Sequence, residues 1–144
     1  MTALDLRALL ADPLHSGAYF IDEHDTAAMA AAGSALDFAV ARVDLGGADK
    51  PAVLARMGQA LRFPDWFGGN WDALADSLGD LSWLPAPGYL LLVERADEWR
   101  EADGEGFDTL LAILNEAATD WRQRNVAFWV LLPLPAETLR QLED

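Results

Sequence analysis

The chain contains no cysteine, which excludes a disulfide framework and any zinc–thiolate site. Histidine is almost as scarce: His15 and His24 both lie in the N-terminal flank, outside any HExxH-like spacing, and read as exposed loop residues. There is no GxGxxG or GxxxxGKS/T loop to offer backbone amides to nucleotide phosphates, and Gly104-Glu105-Gly106 is too short and too acidic to cradle an anion. No GxSxG elbow is present, so nucleophilic catalysis has no obvious agent and a non-enzyme is expected. The longest apolar runs, Tyr89–Val93 and Val126–Leu132, fall far short of the roughly 20 residues needed to cross a bilayer. The N-terminus lacks a basic segment followed by an apolar one, so no secretion signal is expected and a cytoplasmic location is the simplest reading.

Positive charge is the scarcity with most bearing on function. Ten Lys and Arg face 24 Asp and Glu, for a net charge of −14, and not one basic residue falls between Phe63 and Glu94. Phosphate backbones demand Lys and Arg, so nucleic acid is disfavoured as a direct partner. The same imbalance favours solubility and attraction to a basic partner.

At 144 residues and 52% hydrophobic content, the chain suits one folded domain. Residues 2–11 carry Leu4, Leu6, Leu9 and Leu10 as a short amphipathic helix stopped at Asp12-Pro13. A strand over Gly17–Ile21 and an Ala-rich helix near 25–32 complete an N-terminal extension, residues 1–35. Within 36–134, strands are expected at Phe38–Leu45, Tyr89–Glu94 and Val126–Leu132, the last ended by Pro133 and Pro135. Helices are expected near 50–61, with Pro51 in the first turn, near 70–80 and near 106–122. A tail, 135–144, carries a short helix. Strands alternating with helices imply an α/β fold: a small parallel sheet of three strands, or four if the extension adds one to cover an edge.

Residues 63–84, FPDWFGGNWDALADSLGDLSWL, concentrate the chemistry. Trp66 and Phe67 lead into Gly68-Gly69, and a helix opens at Asn70. Asp72, Asp76 and Asp80 recur every four residues and so lie one above the other, while Trp71, Leu74, Leu78 and Leu81 mark a buried face. Like charges at this spacing cost a few tenths of a kcal/mol per pair, which points to a cation supplied from outside the chain. A flat stripe of carboxylates is not a metal cage and lacks the DxDxDG ligand spacing, so no metal and no cofactor are expected. The remaining alternatives are a solvated acidic face and a protein-binding surface. Aromatics beside unrelieved charge favour the second.

The residues FPDWFGGNWDALADSL resemble the signature of the barstar family, intracellular protein inhibitors of ribonucleases. That pattern runs Pro, acidic, two aromatics, Gly, any residue, Asn, hydrophobic, Asp-Ala-Leu, variable, Asp. Pro64, Asp65, Trp66, Phe67, Gly68, Gly69, Asn70, Trp71, Asp72-Ala73-Leu74, Ala75 and Asp76 meet every element. Downstream, LLLVERADEW and LLAILNEAATDWRQRNVAFWVLL are similar to the family's second strand, last helix and third strand, so the likeness runs from about Leu36 to Leu132. It implies a three-stranded parallel sheet packed with helices, and an acidic helix and preceding loop that plug a ribonuclease active site.

Carried over by motif, Asp76 is the central carboxylate standing in for an RNA phosphate, with Asp72 a second contact and Asp80 extending the stripe. Trp66, Phe67, Gly68 and Asn70 belong to the loop that packs on the enzyme, and Glu116 is an outlying acidic contact on the last helix. Ala75 departs from the best-known member, which has a contacting tryptophan there. The loop aromatics bring no tyrosine hydroxyl, and residues 1–35 have no counterpart in the smallest members. The implied partner is a basic, extracellular-type microbial ribonuclease met by a chain that is monomeric when free. The competing readings are a regulatory or immunity module of the same fold bound to another basic toxin and, more weakly, a metalloenzyme.

Overall fold

The computed structural model describes residues 6–65 and 67–143. Helix α1 (Leu6–Ala11) opens them, and a 3₁₀ turn follows in which the Asp12 carboxylate accepts from Leu14 N at 2.9 Å. Strand β1 (Ala18–Asp22) leads through a second 3₁₀ turn into α2 (Thr26–Ala35), then β2 (Ala39–Asp44) and α3 (Lys50–Ala60). Asp49 caps α3 by accepting from Ala52 N at 3.0 Å, and Pro51 occupies its first turn, where a missing N–H costs nothing. Helix α4 (Trp71–Asp80) precedes β3 (Gly88–Glu94). Then come α5 (Ala96–Ala102), α6 (Gly104–Gln123), β4 (Ala127–Leu134) and α7 (Ala136–Glu143).

The four strands form one parallel sheet in the order β1-β4-β3-β2. Residues 38–134 thus supply three neighbouring strands in sequence order, and the N-terminal segment adds β1 beyond them, pairing Ala18–Asp22 with Val130–Leu134 along the edge of β4. The two faces divide by the period of two expected of a strand. Tyr89, Leu91 and Val93 of β3 and Phe128, Val130 and Leu132 of β4 pack with α3, α4, α5 and α6. Leu90, Leu92, Trp129 and Leu131 pack with α1 and α2 on the opposite face. Central strands covered on both faces need unbroken apolar sequence, and every residue of β4 is buried.

Two elements differ from the sequence expectation. Pro133 does not end β4: it lies inside the strand, in register with Ile21. The ladder to β3 has already stopped at Leu131, so a residue without an N–H meets a partner strand on one side only. Helix α5 is the second. It follows β3 with no loop, and Arg95 makes the turn in the left-handed region (φ 55°). Its sequence, ADEWREA, is mostly polar, and the fully buried Ala96 and Trp99 tie it to the core.

Candidate partner-binding surface

The loop before α4 is built on the end of α3. Arg62 turns the chain (φ 57°), Phe63 N returns to Gly58 O at 2.8 Å, and the Phe63 ring meets Phe67 edge-on at 4.8 Å and Trp83 at 5.8 Å. The cluster packs against the end of α3 at Gly58, where a Cβ would lie 3.4 Å from both Phe63 and Phe67, in ordinary contact. Phe67 is therefore half-buried and its ring is largely taken up by internal packing. Trp66, the other loop aromatic named from the sequence, lies outside the described residues. Gly68 is exposed, and Gly69 adopts φ +67°, a conformation that favours glycine. Asn70 then starts the helix: extended in backbone, it accepts from Ala73 N through Oδ1 at 2.7 Å. Its side-chain oxygen is thus engaged in capping.

From this cap, α4 turns Leu74, Ser77 and Leu78 into the core and leaves Asp72, Ala75, Asp76 and Asp80 exposed. The three carboxylates share the outer face, as their spacing requires. Asp80 accepts weakly from Ser82 N at 3.3 Å, and none of the three enters an ion pair among the described residues. Glu116 is exposed on α6, the helix packed directly against α4. Its neighbour Asn115 accepts from Ala18 N at 3.1 Å, so β1 docks one residue away from it. No group of three His, Asp or Glu side chains among the described residues is placed to hold a metal ion.

Two cations missed by the local reading sit at the ends of α4. Lys50, the chain's only lysine, lies 5.3 Å from the centre of the Trp71 ring at the N-terminal end. At the other end Arg124 donates to Gly79 O at 2.8 Å. Both come from distant sequence, and neither makes a salt bridge to the stripe. Arg124 carries a faint sequence signal, being a cation just past the C-terminus of a helix, but its attachment to a second helix cannot be read locally.

The remaining cluster of charge lies at the carboxyl ends of the strands and is internally matched. Arg95 grips the Asp44 carboxylate with two hydrogen bonds, at 2.8 and 2.5 Å, and Arg42 pairs with Glu94 at 2.6 Å. The Arg95 guanidinium, helped by the Gly46 N–H, holds the Asp44 carboxyl down at about 2. Arg42, Glu94 and Arg95 border a hollow of about 400 Å³ whose two arginines are already engaged.

The geometry is thus a parallel α/β sheet presenting an acidic, cation-free helix face after an aromatic-Gly-Gly loop. Residues 38–133 match the family model described as Barstar (barnase inhibitor). The chain belongs to the barstar family. The match takes in the whole acidic surface, β2 to β4 and α6, and leaves α1, β1 and α2 outside it. No curated protein matches the sequence. Among the described residues, no helix is long and apolar enough to cross a membrane.

Proposed function

We propose that this chain is a stoichiometric inhibitor of a basic microbial ribonuclease, acting in the cytoplasm and doing no chemistry of its own. One observation carries the reading: in a member of the barstar family, three carboxylates stand exposed on α4 with no ion pair among the described residues. Asp76 is the central contact, taking the place of an RNA phosphate among the enzyme's Arg and Lys side chains. Asp72 and Asp80 flank it, and Glu116 provides a separate anchor from α6. Gly68 and the loop around it border the contact. Complementary fields speed encounter, and desolvated charge pairs slow release.

Truncating one partner of such a pair costs about 2–5 kcal/mol, so Asp76→Ala is expected to weaken binding most, with Asp72→Ala and Glu116→Ala next. Titration of the chain into a panel of basic ribonucleases, barnase among them, with catalytic rate as the readout, tests this. Inhibition at a 1:1 ratio that is lost in Asp76→Ala supports the reading. Absence of inhibition across the panel removes it.

The second reading is a barstar-fold module that binds a basic toxin with other chemistry. It is favoured by the small, exposed Ala75 on α4 and the inward packing of Phe67 against Phe63. Retention of a basic protein other than a nuclease, released by Asp76→Ala, selects that reading.

A further inference from the structure

The C-terminal end of α4 is held by side chains of α6. A helix leaves its last four carbonyls without intrahelical partners. In α4 the first, Ser77 O, is taken by Leu81 N at 3.1 Å, where Leu81 turns into the left-handed region (φ 48°). The next two are taken from across the helix interface. The Trp121 indole N–H donates to Leu78 O at 2.7 Å in a buried bond, and Arg124 Nη2 donates to Gly79 O at 2.8 Å. The Arg124 guanidinium carbon lies 3.7 Å from the Trp121 ring centre, so the two donors brace each other.

We infer that Trp121 and Arg124 are positioning residues that lock the acidic stripe of α4 to Glu116 of α6. Trp121 lies on α6, the helix that carries Glu116, and Arg124 is that helix's C-cap, so the bonds that end α4 also set the separation and angle between the two acidic anchors. Rotation or sliding of α4 against α6 breaks one buried bond and one charge-assisted bond, the latter about twice as strong as a neutral one. Arginine suits the role better than lysine. Its planar fork stacks on the indole while one nitrogen reaches Gly79 O and another reaches Asp120 O at 3.5 Å. The cation also lies at the negative ends of both helix dipoles. A surface whose anchors are already spaced loses less freedom on binding, and that difference appears as affinity.

The binding role rests on the proposed inhibitor function; the lock itself does not, and the experiment separates the two. Because the chain has no cysteine, Ala75→Cys on α4 and Ala112→Cys on α6, both at exposed positions, accept spin labels cleanly. Pulsed electron–electron dipolar spectroscopy on the free, full-length protein reads the interhelix distance distribution. Arg124→Ala is expected to broaden that distribution with unchanged helix content, and Arg124→Lys to restore part of its sharpness. An unchanged distribution in Arg124→Ala overturns the lock whatever the protein binds. With a basic ribonuclease that the wild type inhibits, Arg124→Ala is expected to weaken binding about tenfold, but less than about threefold once Glu116→Ala is present, because coupled sites are not additive. Equal losses in both backgrounds overturn the positioning role. Failure of the wild type to inhibit any ribonuclease overturns the binding role while the spin-label result still decides the lock.

Discussion

Ser77 carries a hydroxyl that its surroundings do not use. It is completely buried on α4, between Asp76 and Leu78, and its Oγ has no hydrogen-bond partner. An unsatisfied buried polar group costs about 1–3 kcal/mol, and alanine is also the better helix former. Ser77→Ala is therefore expected to raise stability by about 1 kcal/mol in urea denaturation. A loss of stability would mean that the hydroxyl is satisfied in solution. Asp44 is the second informative residue. Its folded-state value of about 2 lies below the ordinary 3.8, so its pairing with Arg95 stabilises fully above about pH 4 and is lost as pH falls through 2. The pair is half-exposed and screened, so its contribution is modest. Asp44→Asn should flatten the acid limb of the stability profile between pH 4 and pH 2, and denaturant midpoints at several pH values across that window measure it.

At the scale of elements, the N-terminus of α4 is capped locally by Asn70. Asn70→Ala removes the bond to Ala73 N and is expected to cost about 1 kcal/mol of folding stability, whereas Asn70→Asp should keep most of it. Chemical denaturation of the two variants separates capping from any direct contact: if both variants bind alike once folded, Asn70 serves the helix alone. This element was legible in the sequence because its determinants are local: a cap, a glycine turn, and two periodic faces. Pro51 in the first turn of α3 was legible for the same reason, as were the buried strands, whose apolar runs have no other use. What stayed hidden depends on tertiary contact. Helix α5 has no capping residue and little apolar sequence, and it exists because Ala96 and Trp99 fill the core. Pro133 reads as a stop until the register shows where the β3 ladder ends. Phe67 belongs to a loop motif, but its half-buried packing rests on Phe63, which meets Trp83, and on the core behind them, which no local pattern shows. Lys50 and Arg124 lie too far along the chain for any local window to associate them with α4.

For the whole molecule, the net charge of −14 sets one behaviour in the free state and the opposite one in a complex. Self-repulsion opposes compaction, and salt screens it, with a Debye length near 10 Å at 0.1 M. Raising sodium chloride from low to moderate concentration at pH 7 should therefore raise the thermal midpoint of the free protein while slowing its association with a basic partner. Differential scanning calorimetry and stopped-flow association kinetics, over one salt series, read both. A midpoint that falls with salt would mean that internal ion pairs outweigh the repulsion.

The placement of β1 bears on how the chain comes together during synthesis. Strand β1 pairs with β4, more than 100 positions later, and the contacts that fasten its surroundings span similar distances: Trp129 donates to Leu10 O across 119 positions, and Arg122 to Ser16 O across 106. The β1–β4 pairing and the Trp129 bond cannot form until the ribosome has released most of β4, whereas β2 and β3 can pair earlier. Strand β1 must therefore wait unpaired while β2 and β3 assemble. The emergence of β4 itself becomes the event that seats β1.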